Sequence, residues 1–477
     1  MTDMITMQVI RYGLEQVADE MGYTLVRTGR STIITEIKDI SCVVTDAIGQ
    51  TVAQAHHNPS LLAGFEITMK ALTANYPPAD LAPGDVIITN DPYEGGQHIM
   101  DLYAIAPAFH NGKLIGFVGN ITHHSDLGGV AAGGVAGGIR EIYLEGLRLP
   151  MVKLYKAGKE DREIVSIIAN QIRVPKKTLG DIRAQVSSVM VGTERLDRMF
   201  RRYGEATMRQ ACAELLDYSE RRMRAGLAKL PEGIYEGEDF IDDDGINDRP
   251  IRVAVRLTVK GGEVVVDLTD SDPQAEGNTN STIANTHAAA YYVMIAVVDP
   301  GVPPNSGCYR PIKVLTRPGS IVHPVLPGAV AARTNASQKI VEAMFRALST
   351  AAPDRGPSSS SWAGTGFGSP TRPMASPSAP TGSRRSARTP GPRGASSRST
   401  RWSRCSASTS RGRWPSWSSS TRSHRTCRSC CAASTGRLPT TSAGARRRTS
   451  SRGRRCSGTR TKGSTSGSSP TSPGTSG

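Results

Sequence analysis

The chain has 477 residues and a formal net charge of +16, long enough for a sizeable core and for more than one domain. The charge is concentrated at one end: residues 351–477 hold 22 Arg, 1 Lys and the single acid Asp354, a balance of +22, so the first 350 residues carry 16 − 22 = −6. A mildly acidic body argues against nucleic acid or an anionic membrane as its partner, and no run approaches the roughly 18 apolar residues of a membrane span.

The first predicted element is a helix over residues 3–21, where Thr2 or Asp3 can cap and Ile5, Val9, Ile10, Leu14, Val17 and Met21 recur at helical spacing. Residues 40–55 read as a hairpin turning at Ala47–Gly49, and 60–75 as a helix. A short buried strand, Asp85–Thr89, leads into the turn-rich loop NDPYEGGQH. Strands at 101–109 and 113–121 are joined by His110-Asn111-Gly112, in which Asn-Gly is a strong hairpin signal. The run HHSDLGGVAAGGVAGG follows, with six glycines between Gly128 and Gly138. Such a loop inside a compact domain is commonly functional. It does not fit GxGxxG, and the chain has no GxxxxGK[ST], so nothing indicates that this chain cradles nucleotide phosphates itself.

Residues 160–171 and 176–229 are predicted helical, the second stretch breaking near Gly192 or Gly204. Strands are expected at 233–241, 250–259 and 262–269, a helix at 283–298, a strand at 310–316 and a last helix at 337–349. The fold class is α+β (mixed α/β), with several antiparallel hairpins and a long helical segment.

From Ala351 onward the composition changes: there is no Val or Ile, one Leu (Leu438), and all four Trp and five of the eight Cys. Such a segment buries too little apolar surface to order itself and is expected to be a disordered tail. A natural low-complexity basic tail is one reading. The preferred one is a GC-rich gene read out of frame from near Arg355–Pro357, which divides the chain into a truncated catalytic domain (1–354) and a frameshift product (355–477). Of the remaining cysteines, Cys42, Cys212 and Cys308 are far apart, which suggests neither disulfides nor a thiolate zinc site. The N-terminus, MTDMITMQVI, lacks a secretory pattern, so a cytoplasmic location is expected.

Chemistry concentrates where His56, His57, His98, His110, His123 and His124 fall within 69 residues. Imidazole and carboxylate are the ligands of catalytic Zn, Mn or Fe sites. His98 and Asp101 are three apart, and a hairpin returns His123 to the end of the strand that Asp101 begins. Topology thus brings the three together, although a hydrogen-bonded structural pair has equal standing on spacing alone. His56 and His57 are read as surface-loop residues, His110 as exposed, and His287 and His323 as structural.

The runs TNDPYEGGQHIMDL, NITHHSDLGG and NSGCYRPIKVLTRPGSIVHPVLPGAVAART resemble the hydantoinase B/5-oxoprolinase family, which includes the B-type component of N-methylhydantoinase and the large subunits of acetone and acetophenone carboxylases. The resemblance covers essentially all of residues 1–354, and family members continue beyond that point with ordinary globular sequence. It implies a hetero-oligomer with a hydantoinase A-like subunit of actin-like kinase fold, which uses ATP to phosphorylate a small cyclic amide or ketone. It also implies a divalent metal on Asp39, His98, Asp101 and His123, with His124 and Asp126 as candidates for proton transfer or ligand orientation, and a glycine loop that closes over substrate. The sequence departs from the family at His57-Asn58-Pro59-Ser60-Leu61, which puts a role for His57 in doubt, and at Gln97 and Met100. The expected function is metal-dependent hydrolysis of a phosphorylated cyclic amide. The alternatives are an acetone-type carboxylase subunit, a non-catalytic scaffold and, through the basic tail, a nucleic-acid-binding protein.

Overall fold

The computed structural model describes residues 3–351 except 56, 59, 60, 62 and 63. The expectations for the tail and for His56 lie outside the described residues. Helix α1 (Met4–Thr28) starts where the Asp3 carboxylate accepts from the N–H groups of Ile5 and Thr6. It runs a further two turns past the predicted end, because Leu25 joins Ile34, Ile40 and Ala184 in a small buried cluster. After a short π-helical turn (Ile33–Ile37) come β1 (Ile40–Thr45), β2 (Thr51–Gln54) and helix α2 (Phe65–Asn75). Strands β3 (Val86–Thr89), β4 (Asp101–His110), β5 (Lys113–His123), β6 (Val152–Lys156) and β7 (Lys159–Glu160) complete a seven-stranded antiparallel sheet in the order β2-β1-β5-β4-β3-β6-β7.

Helix α3 (Arg162–Gln171) is capped by Asp161, and α4 (Pro175–Tyr203) and α5 (Glu205–Leu227) form the long helical segment. The break falls at Gly204, whose φ of 81° suits glycine. Gly192 stays inside α4, where a Cβ would meet Met21 Sδ at 2.4 Å. A second sheet contains β8 (Gly233–Ile241), β9 (Ile251–Lys260) and β10 (Glu263–Asp267). Strand β10 ends two residues earlier than predicted because Asp267 turns back to accept from the N–H and hydroxyl of Thr269. Helices α6 (Ile283–Val298) and α7 (Ser306–Tyr309), strand β11 (Ile312–Leu315) and helix α8 (Thr334–Ala351) close the described chain. The sheet order is β11-β10-β9-β8, with β10 and β11 parallel.

Strand alternation places the first sheet between two apolar layers. On β4, Leu102, Ala104 and Ala106 face the layer that α1 and α4 complete with Leu14, Met21 and Val189. Tyr103 and Ile105 face the opposite layer with Phe65, Met69 and Leu72 of α2. The second sheet packs α6 and α8 through Val253, Val255, Met294, Ile340 and Met344. Antiparallel hairpins beside a long helical segment are the α+β class expected from the sequence, and among the described residues no helix is long and apolar enough to cross a membrane.

Candidate metal centre

The β4–β5 hairpin sets the site. Its register places Asp101, the first residue of β4, opposite His123, the last of β5. His98 precedes β4 in a turn closed by the Asp101 N–H donating to the His98 carbonyl at 3.0 Å. One ligand atom from each of His98, Asp101 and His123 lies within 4.8 Å of the others. Nδ1 of His123 is 3.1 Å from Oδ1 of Asp101, and the two imidazole rings are 5.0 Å apart, centre to centre. Nδ1 of His98 lies 2.8 Å from Oδ2 of Asp101 but out of line for a hydrogen bond, which leaves it buried without a partner.

A buried imidazole nitrogen that touches a carboxylate without a well-formed hydrogen bond is costly unless something else satisfies it. The donor set is two imidazoles and a carboxylate, which suits a divalent transition ion. The residues present therefore fit a metal. Asp39 stands at the margin: Oδ2 is 4.0 Å from His123 Nδ1, its side chain is 28% exposed, and Oδ1 accepts from Asn58 Nδ2 at 2.8 Å.

Electrostatics prepares the donors. Burial, opposed by the Asp101 charge, pushes the His98 imidazole down to about 4, so it is neutral at pH 7 with a free lone pair. Burial works against ionisation of Asp101, but the Arg333 charge and a hydrogen bond from His123 outweigh it and hold the carboxyl well below its usual range. Burial also disfavours a charge on His123, yet its bond to Asp101 leaves the ring above its ordinary value.

His124 and Asp126 point elsewhere. Nε2 of buried His124 pairs with Gln185 Oε1 at 2.9 Å, and burial pushes its pKa down. Asp126 accepts from the Arg173 N–H and from Arg173 Nη1, both at 2.7 Å, and so clasps the start of α4. His57 packs against Gly22 of α1. His110 is half-buried rather than exposed, since its Nδ1 reaches Asp197 Oδ1 at 2.7 Å. His287 pairs with Tyr291, and His323 with Thr316. The glycine loop passes over the site's neighbour Met100, against which a Cβ on Gly134 would clash, and Arg173 holds its start through the carbonyls of Gly128 and Gly129.

Sequence reasoning missed Arg333. Its side chain is buried, its Nη2 donates to Asp101 Oδ2 at 2.6 Å, and its Nε has no partner. The run GAVAART contains it, but 232 residues separate it from Asp101, and nothing local signals the contact.

A family model described as Hydantoinase B/oxoprolinase matches residues 3–392, and the chain belongs to that family. The caprolactamase beta chain of Pseudomonas jessenii is 32% identical over 357 residues, covering 74% of this chain and 61% of that one. The crystal structure of ATP-dependent caprolactamase from Pseudomonas jessenii superposes with a TM-score of 0.71 at 30% identity, covering 74% and 61% of the two chains. The nucleotide-free structure of acetone carboxylase shares the fold, with a TM-score of 0.67 at 18% identity over 74% and 48% of the chains. The chain thus spans about three fifths of the length of the caprolactamase chain it matches.

Proposed function

We propose that this member of the hydantoinase B/oxoprolinase family is the metal-holding subunit of an ATP-dependent cyclic-amide hydrolase. A hydantoinase A-like partner of actin-like kinase fold would phosphorylate the amide oxygen, which converts a poor electrophile into one with a good leaving group. His98, Asp101 and His123 would hold Zn, Mn or Fe, with Asp39 as the outer fourth ligand. A divalent ion there supplies Lewis acidity and lowers the pKa of a nearby water. Neutral His98 and ionised Asp101 are offered in the protonation states that ligation needs. His124, bonded to Gln185, and Asp126, bonded to Arg173, are the candidates for proton transfer or ligand orientation, and the glycine loop excludes water. The similar caprolactamase is ATP-dependent and its matching chain is named as a beta chain, which supports ATP use and a hetero-oligomer. The likeness to acetone carboxylase is one of fold, so a cyclic amide is preferred over a ketone as substrate. Residues 1–354 form the catalytic part, 355–477 are the out-of-frame product, and the complex works in the cytoplasm.

The observation that carries this reading is the buried, unpartnered Nδ1 of His98 beside Asp101. Elemental analysis tests it, on the frame-restored chain co-expressed with its A-type partner beside a His98→Ala/His123→Ala double variant. Near-stoichiometric metal that disappears in the variant is expected. No metal in either protein would move the chain to a scaffold role.

A further inference from the structure

Both oxygens of Asp101 are engaged, and by different kinds of group. Oδ1 faces Nδ1 of His123 at 3.1 Å, while Oδ2, 2.8 Å from Nδ1 of His98, takes a charge-assisted hydrogen bond from Nη2 of Arg333 at 2.6 Å. Arg333 lies one residue before α8, and its side chain is 9% exposed.

The segment that delivers Arg333 is tied down behind the site. Oε1 of Glu145 accepts from the N–H groups of Val330 and Ala331, each at 2.7 Å. The Arg333 N–H donates to the Val330 carbonyl at 3.0 Å, and the Tyr93 hydroxyl donates to the Gly328 carbonyl. The guanidinium thus meets Asp101 from a loop fixed by side chains that belong to no metal ligand.

We infer that Arg333 is a positioning residue for the metal ligand Asp101. By bonding Oδ2 it fixes the orientation in which the buried carboxylate would meet an ion, and Glu145 acts through it by holding its loop. The inference rests on the metal reading of the site. Two effects oppose each other when Arg333 is removed. A nearby cation repels an incoming ion, so its loss favours tighter binding. The freed carboxylate loses its fixed orientation and its buried counter-charge, which weakens binding. Loss of an outer hydrogen-bonding partner ordinarily costs about 10–100-fold in metal affinity, and orientation is the effect that wins here, because Asp101 is wholly buried and Arg333 is the cation bonded to it.

The test is zinc affinity, by competition with a chelating dye, of the complex with its A-type partner. Arg333→Met is expected to loosen zinc by about 10–100-fold, and Arg333→Lys by less, since it keeps the charge but not the planar fork. Glu145→Ala should loosen zinc in the same direction and Glu145→Gln restore it, because the amide oxygen still accepts from both N–H groups. Unchanged or tighter zinc in folded Arg333→Met overturns the inference and leaves the metal site standing. Should Arg333→Met fail to fold, the Glu145 pair decides, and equal affinity in Glu145→Ala and the parent overturns it. A parent protein that takes up no zinc overturns the metal reading and this inference with it.

Discussion

Oε1 of Gln185 lies 2.9 Å from Nε2 of His124, and the rest of the Gln185 amide decides which of the two donates. Its Nε2 gives to the Leu102 carbonyl at 2.8 Å and to Asn120 Oδ1 at 2.9 Å, so Oε1 is an acceptor and His124 carries its proton on Nε2. Asn120 Nδ2 returns a bond to the Gln185 carbonyl. This buried network pins α4 to β4 and β5 immediately behind His123.

Gln185→Leu should therefore act on stability rather than on the metal. It leaves His124 Nε2, the Leu102 carbonyl and Asn120 Oδ1 each short of a partner, at about 1–3 kcal/mol per buried orphan. A loss of at least about 2 kcal/mol in urea denaturation is expected, with metal per folded protein unchanged. Metal loss without destabilisation would show that His124 serves the site directly.

Close approach makes two glycines of β5 unequal to a third in α4. A Cβ at Gly116 would sit 2.2 Å from the Thr45 carbonyl oxygen of the adjacent strand, and one at Gly119 would sit 2.6 Å from the Phe65 ring. At Gly192 the first obstacle is the flexible end of Met21. Overpacking costs about 1–3 kcal/mol where neighbours yield and more where backbone must move. Thermal denaturation should rank the alanine variants with Gly116→Ala worst, Gly119→Ala next and Gly192→Ala mildest.

Glu145 gives the protein a pH dependence of defined sign. Burial, opposed by the N–H bonds from Ala331 and Val330, raises its carboxyl from 4.5 to about 7. Between those values the folded chain keeps a proton that the unfolded chain has released. Its stabilising contribution is thus complete below 4.5 and falls as pH rises toward 7, by up to about 3 kcal/mol. Glu145→Gln is neutral throughout and should remove that slope. The urea midpoints of parent and variant, measured across this range, isolate Glu145 because every other titrating group cancels in the difference. A difference that does not vary with pH would refute the assignment.

Local signals were legible where one short segment decides the outcome. Asn111-Gly112 announced the β4–β5 hairpin, whose Asp101–His123 register then brought the three donors together. The helix over 283–298 ends where it was expected, since Thr282 caps it and Asp299 follows. The β6–β7 hairpin escaped notice because its turn, Ala157-Gly158, places a non-glycine residue at φ 46°. The parallel pairing of β10 with β11 and the contact of Arg333 with Asp101 depend on long-range packing that no periodicity encodes.

The ranking of the donors themselves follows from their burial, and it can be measured. His98 is buried and its Nδ1 has no alternative partner, so His98→Ala removes a donor that nothing replaces. Asp39 is part-exposed, 4.0 Å from His123, and already shared with Asn58, so water can take its place. Asp39→Asn should weaken metal binding by less than His98→Ala, with both variants remaining folded. Metal at about 100 times its Kd should stabilise the parent by about 2.7 kcal/mol against unfolding. That gain should be partly kept in Asp39→Asn and absent in His98→Ala, read as a shift of the thermal midpoint with and without added zinc. Equal losses in the two variants would place Asp39 among the inner ligands, and a gain retained in His98→Ala would place the ion elsewhere.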